Sequence, residues 1–536
     1  MRGRLTLTTL VLASTMIAAL SASCLGGSTP APPPRRTPTA VPTASIARPA
    51  VVRLPDGQVE ALLRRAVCWL DDPARARTCL PPSPDALAAI DEIGRSGDRR
   101  LAAPLVDMLN LDLPWRGALD AALVRLTGER SNDARGGREW LVAQPRIEAP
   151  TGYARWKARL LALTATPATP ATPATPATPA TPATPPGYEA LLGVPQGGTA
   201  GAGRGPLDDS TLAALHWTGV QPDANRPLHN PANVSARAQR YLAGPDLVYG
   251  VVVGSEARAY PQRIIAWHGV VNDTLNGRPI VVVHCLPCGG AAAFERGTSE
   301  GKPREFGTTG LALQSRSLIF EAGGARLWDG FSGEALGGPG LLGAPATARA
   351  ALATLPMFTT TWSDWQARHP DTTVLDIATG VVRDYSPGAA IRDEVASTRA
   401  LYPVRADARL PEKEAVLGVA PATGGPLAFR LSEVQSKRLV TSGAAGAAGA
   451  AGEVVALSEG PGLAAGVYAT GGVRLVRVEG SGSGFSAIDD TGARWAMREH
   501  ALVQVGTGKE LPALSWRQGY WFAWSGAFPG TSVVGE

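Results

Sequence analysis

Residues Thr164 to Pro186 repeat Ala-Thr-Pro almost without interruption. Proline at every third position removes backbone donors and fixes φ, so neither a helix nor a central strand can run through it. Such a run favours polyproline II and cannot build a core. It divides the chain into parts that must fold on either side of it. At about 3.1 Å per residue the stretch would reach on the order of 70 Å, which reads as a spacer. A length of 536 residues also exceeds what one hydrophobic core supports.

The N-terminus reads as an export signal over residues 1–24. Arg2 and Arg4 precede an apolar run from Leu5 to Leu20, which is too short for a comfortable membrane span. Leu20-Ser-Ala-Ser-Cys24 then matches a bacterial lipobox, apart from Ser21 where leucine is usual. Cys24 is the expected lipidation site, and the Pro/Thr-rich residues 25–54 are the expected tether. This predicts an extracytoplasmic protein, lipid-anchored to the cell membrane. A formal net charge of +5 is small for the length, and no long Lys/Arg run occurs, which argues against a nucleic-acid partner. Outside the cytoplasm, Cys68 and Cys79 are the natural structural disulfide.

Residues 55–163 carry helical periodicity. Val59, Leu62, Leu63, Ala66, Val67 and Leu70 recur at helix spacing. A second helix is predicted from Asp85 to Ile93, with Ser83 as N-cap ahead of Pro84. The Gly/Asp turn and early proline that follow suggest a HEAT-like helical pair. We expect a small α-helical, HEAT-like domain that spaces or docks.

From Tyr188 onward the pattern becomes short β-type runs between Gly/Pro turns, and it is duplicated. Two series of similar segments follow one another in the same order. Each ends on Trp-x-x-Trp and Pro-x-Thr: Trp362, Trp365, Pro370 and Thr372, then Trp521, Trp524, Pro529 and Thr531. The expected fold is multidomain. The helical domain and the linker at 164–187 precede a β-rich region of two related lobes, 188–400 and 401–536. Features shared by both copies are candidates for packing, and features in one copy only are candidates for chemistry.

Cys285, Cys288, His268, Asn272 and Asp273 occur only in the first copy. The apolar run Ile280–Val283 delivers His284-Cys285-Leu-Pro-Cys288-Gly-Gly, a Cys-x-x-Cys turn. Such a turn can hold a disulfide, exchange thiols or clasp a metal. A neighbouring imidazolium would raise the thiolate fraction. Strand alternation points His284 away from Cys285, so His268 is the expected partner. The metal alternative would draw on Cys285, Cys288, His268 and His284, or Asp273, around zinc. Asn272-Asp273 reads first as shaping a turn before Asn276-Gly277. His216, His229, His369 and His500 are scattered and read as surface or satisfied core histidines. No Gly-x-Ser-x-Gly nucleophile motif stands out.

With those residues in view, the region from Tyr188 to Glu536 resembles the DUF3179 family of bacterial exported proteins. The resemblance rests on "ARAYPQRIIAWHGVVNDTLNGRPI", "HCLPCGGAAAFE", "FGTTGLALQSRSL", "LWDGFSGEAL" and "TTTWSDWQARHPDTTVLDIATGVVRDYSPGAA". Some relatives place selenocysteine at one of these thiols, which implies redox chemistry at the pair. The chain departs from the family pattern at Gly269 (usually Glu), His284 (usually Tyr), Ser315-Arg316 (usually Ser-Asn) and Phe320-Glu321-Ala322 (usually Tyr-Asp-Arg).

Two functions are therefore expected. One is a membrane-tethered thiol oxidoreductase using Cys285 and Cys288 with an unidentified protein or thiol partner, supported by Asn272, Asp273 and His284 and needing no cofactor. The other is a non-enzymatic envelope scaffold with a structural disulfide or a zinc knuckle.

Overall fold

A computed structural model describes residues 52–67, 83–109, 115–128, 134–142, 144, 147–164, 188–192, 207–323, 326–336, 350–405, 407–420, 424–443 and 452–535. The expected export signal with Cys24, the expected Cys68–Cys79 disulfide and the interior of the Ala-Thr-Pro stretch lie outside these residues. Among the described residues no helix is long and apolar enough to cross a membrane.

The first region is helical. Helix Asp56–Ala66 buries Val59, Leu62, Leu63 and Ala66, one face at helix spacing. Helix Pro84–Arg95 starts as the sequence predicts, with Pro84 in the first turn and the Ser83 hydroxyl accepting from Ala86 N–H at 3.1 Å. It crosses helix Arg116–Thr127 so closely that a Cβ on Gly94 would lie 2.7 Å from Ala122 Cα. Helix Tyr153–Thr164 closes the region, its Trp156 indole donating to Leu63 carbonyl at 3.1 Å.

That last helix also packs on the β region. Ala158, Leu161 and Ala162 share one core with Tyr188 and Leu191, and with Leu311, Leu313 and Phe320 of the first lobe. The described residues on either side of the Ala-Thr-Pro stretch therefore share a single core.

The duplication has a topological counterpart. In the first lobe, strands Met357–Thr361, Leu247–Val253, Glu256–Pro261 and Thr373–Leu375 lie in that order. In the second, Trp516–Tyr520, Ala415–Val419, Leu427–Arg430 and Ser532–Val534 take the same order. In both, the first two pairings are antiparallel and the third is parallel. Helices Gln262–His268 and Leu431–Lys437 follow the third strand. Helices Trp362–Arg368 and Trp521–Ala527 follow the first.

The repeated tryptophans have one physical role. A Cβ on Gly250 would lie 2.1 Å from the Trp365 ring, and one on Gly418 would lie 2.4 Å from Trp524. Each indole occupies the space that a side chain would need. Its N–H donates to a threonine hydroxyl, Thr372 at 2.9 Å and Thr531 at 3.0 Å. Buried indole donors require such partners. The two lobes share a core in which Phe358 and Trp365 meet Leu417, Tyr468 and Trp516.

Candidate functional site

The site grows from a hairpin. Strand Arg278–Cys285 pairs antiparallel with Gly290–Glu295, and Cys285 faces Gly290. The turn closes with Cys288 N–H donating to Cys285 carbonyl at 3.0 Å. Cys285 and Cys288 form a disulfide with a Cα–Cα distance of 5.2 Å. The Ser317 N–H donates to Cys285 Sγ at 3.3 Å.

The bond lies between the lobes. Cys285 is 1% exposed and Cys288 0%. They pack with Phe331 of their own lobe and with Trp521, Phe522 and Trp524 of the other. Tyr520 N–H donates to Cys288 carbonyl at 2.8 Å. The Gly-Gly after the cysteines exists for this approach. A Cβ on Gly289 would lie 2.3 Å from the Tyr520 ring, and one on Gly290 would lie 2.2 Å from Gln518 carbonyl.

The second lobe closes the corresponding connection without sulfur and with a different backbone, φ being positive at Gly460 and Gly462 there but at Gly289 here. Cys285 pairs with Gly290, and Glu459 N–H donates to Ala464 carbonyl at 3.1 Å at the matching place. Between them run Leu286-Pro-Cys-Gly289 and Gly460-Pro-Gly-Leu463, equal in length with proline at the same step. Glu459 thus stands where Cys285 does, and Gly462 where Cys288 does.

Strand alternation turns His284 to the opposite face, where its ring meets the edge of Tyr249 at 5.8 Å between centroids. Neither ring nitrogen has a hydrogen-bond partner, and burial pushes its pKa down to about 4. His268 ends helix Gln262–His268, and its two nitrogens are both taken. Nδ1 meets Arg226 carbonyl at 2.6 Å and Nε2 meets Tyr385 hydroxyl at 2.6 Å. A carbonyl can only accept, so Nδ1 carries the proton and Nε2 accepts from tyrosine. The thiol pairing expected of His268 is not built, because the helix end commits its imidazole to the loop that carries Tyr385.

Asn272 and Asp273 are buried anchors rather than turn residues. The Asn272 amide donates to Phe306 carbonyl at 2.8 Å and accepts from Phe306 N–H at 2.9 Å, standing in for a strand partner. The Asp273 carboxylate accepts from Arg258 at 2.6 Å and Tyr260 at 2.8 Å. The turn itself is Asn276-Gly277, with φ of 49° and 73°, the positive values a two-residue hairpin of this type needs. The proposed zinc ligands are not assembled, since the sulfurs are bonded together, His284 faces away and His268 is engaged. Among the described residues no group of three His, Cys, Asp or Glu could hold a metal ion.

Some neighbours of the turn left no sequence signal. Lys413 lies 4.6 Å over the Tyr520 ring and donates to the buried Glu394 carboxylate. Glu394 sits in the short helix Arg392–Ala396, and Lys413 lies just ahead of strand Ala415–Val419. Arg316, next to Ser317, forms a buried ion pair with Asp329 at 2.7 Å.

The family model described as "Protein of unknown function (DUF3179)" matches residues 226–531, more than half of the chain. The chain belongs to the DUF3179 family. That span holds most of both lobes, the disulfide and the tryptophan helices. No curated protein and no solved structure matches the chain.

Proposed function

We propose that this DUF3179 protein is an exported lipoprotein, anchored through Cys24, whose Cys285–Cys288 pair undergoes thiol–disulfide exchange. One observation carries this reading. The second lobe closes a connection of the same length, with proline at the same step, using Glu459 and Gly462, so a connection of this length can be closed without the bond. Closing so small a ring also adds little chain-entropy stabilisation, less than the roughly 3 kcal/mol of a 15-residue loop.

The exchange balances with an external dithiol as reductant. Its thiolate attacks Cys288 Sγ, the Cys285–Cys288 bond breaks, and the electron pair leaves on Cys285 Sγ. The Ser317 N–H that already reaches this sulfur stabilises the thiolate. The second thiol of the reductant then attacks the mixed disulfide and releases Cys288. Two electrons and two protons pass to the pair, and the reductant leaves as a disulfide. Helix Trp521–Ala527 covers the sulfurs, so exchange requires that helix to lift.

The near-complete burial of both sulfurs favours a second reading, a structural clasp in an envelope scaffold whose HEAT-like helices dock a partner. Titration of the native protein in dithiothreitol redox buffers separates the two. The exchange reading expects reversible reduction with the fold retained, at a potential above about −300 mV. Cys285→Ser with Cys288→Ser should abolish the exchange and lower stability only modestly. A bond that resists reduction until the chain unfolds overturns it in favour of the clasp.

A further inference from the structure

The helix that covers the sulfurs is fastened at its first turn. Tyr520 N–H donates to Cys288 carbonyl at 2.8 Å, Trp521 N–H to Glu414 carbonyl at 2.8 Å and Phe522 N–H to Glu412 carbonyl at 3.0 Å. A helix start leaves such donors without intrahelical partners. The counterpart helix in the first lobe is fastened in the same way. There Trp362 N–H donates to Asp246 carbonyl at 2.8 Å and Ser363 N–H to Gly244 carbonyl at 3.0 Å.

The side chains around these matching bonds differ. Between Gly244 and Asp246 stands Pro245, whereas between Glu412 and Glu414 stands Lys413. Before Trp362 stands Thr361, whose hydroxyl caps its own helix by accepting from Asp364 N–H at 3.3 Å. Before Trp521 stands Tyr520, which gives its helix no side-chain cap. Its half-buried ring lies against Gly289 instead, with the Lys413 ammonium 4.6 Å from the ring centre. Burial first, then the Glu394 carboxylate that shares a hydrogen bond with its hydroxyl, hold the phenol well above its ordinary pKa. Tyr520 therefore stays a donor.

Lys413 completes the set. Its ammonium donates to the Glu394 carboxylate, to Glu394 carbonyl at 2.7 Å and to Ser397 carbonyl at 2.9 Å, which uses all three N–H groups. Glu394 is the one buried residue of helix Arg392–Ala396, and the other four are exposed. Of that short helix, only the side chain that Lys413 and Tyr520 share reaches the interior. Pro245 and Thr361 can form no such set, so it exists only on the side that covers the disulfide.

We propose that Glu394, Lys413 and Tyr520 form a catch on helix Trp521–Ala527, which keeps that helix over the sulfurs until helix Arg392–Ala396 lets go. The catch takes its purpose from the thiol-exchange reading, but the lifting of the helix can be measured without reference to sulfur.

Amide hydrogen exchange of the full chain, read on peptic peptides by mass spectrometry, tests it. Such exchange reports the local opening of one element separately from global unfolding. Lys413→Met removes the central cation and should speed exchange across Trp521–Ala527 by at least about tenfold, because hydrogen bonds to a charged group are lost. Tyr520→Phe keeps the ring on Gly289 and should speed it by less, and it serves if the first variant misfolds. Exchange across Trp362–Arg368 should not change in either. Thr372→Val, which weakens that counterpart helix, should leave Trp521–Ala527 as it was. Reduction of the native disulfide by dithiothreitol should quicken in step with exchange in the catch variants. Unchanged exchange across Trp521–Ala527 in both variants overturns the catch and leaves the thiol reading standing, as does an equal acceleration by Thr372→Val. Faster exchange around a disulfide that still resists reduction upholds the catch and overturns the thiol reading instead.

Discussion

Two of the contacts between the lobes seat a turn of one on a helix of the other, and the two differ in kind. The first lobe's turn, carrying Cys285 and Cys288, packs on the second lobe's helix Trp521–Ala527 through apolar side chains. The second lobe's turn, carrying Glu459, meets the first lobe's helix Trp362–Arg368 through an ion pair with Arg368. The residue that follows each helix behaves likewise. Phe528 packs against Trp524 with ring centroids 4.4 Å apart, whereas His369 packs against Trp365 at 4.2 Å and bonds Glu499 at 2.8 Å. Turns of equal length at matching places thus make an apolar, sulfur-bearing contact in one lobe and an ionic one in the other. What the lobes share is packing, and what separates them is chemistry.

The largest expected effect falls on the ionic contact. The Arg368 and Glu459 side chains are 4% and 0% exposed. Removing one partner leaves a buried charge uncompensated, so Arg368→Ala should cost about 3–5 kcal/mol in urea unfolding. Arg368→Met together with Glu459→Leu should recover most of that. A single-mutant loss below about 1 kcal/mol would end the contrast between the two contacts.

His284 gives a second handle, because the corresponding residue in the second lobe is Ser458. The unfolded chain takes up the imidazole proton near pH 6.5, but the folded one only near pH 4. Between those values the unfolded state binds more protons, so stability is complete above pH 6.5 and falls as pH drops towards 4. The drop from this group is about 3 kcal/mol. His284→Ser should flatten the stability profile over that window by about this amount. Identical profiles for the two proteins would show that the imidazole is not held neutral.

The smallest effect tests what the lobes share. Thr372→Val and Thr531→Val each leave a buried indole N–H without its acceptor, at about 1–3 kcal/mol. The two losses should agree closely. If only one is measurable, the two tryptophan helices are not equivalent devices.

The parts of this fold that repeat or run periodically were legible in the sequence. Apolar spacing marked helix Asp56–Ala66, Ser83-Pro84 marked the start of the next, and Trp-x-x-Trp with Pro-x-Thr marked the duplication. The indole beneath Gly250 and Gly418 explains why that motif had to appear twice. Cys285 and Cys288 were legible as a pair, but their burial by Trp521 and Trp524 was not, since the partners lie more than two hundred positions apart and leave no local pattern. For the same reason His268 was matched to the wrong neighbour. Residue type suggested a thiol partner, whereas the fold supplied Arg226 and Tyr385 from distant loops.

The reciprocal seating of turn on helix has a consequence for how such a molecule can change. A symmetric homodimer of one lobe would present the same turn at both contacts, so any substitution would strike twice. Joining the halves in one chain lifts that constraint. Each turn answers only to the helix opposite, and a cysteine pair can be kept on one side while a carboxylate takes its place on the other. The covalent link between the lobes is what allows this molecule to hold one disulfide rather than two or none.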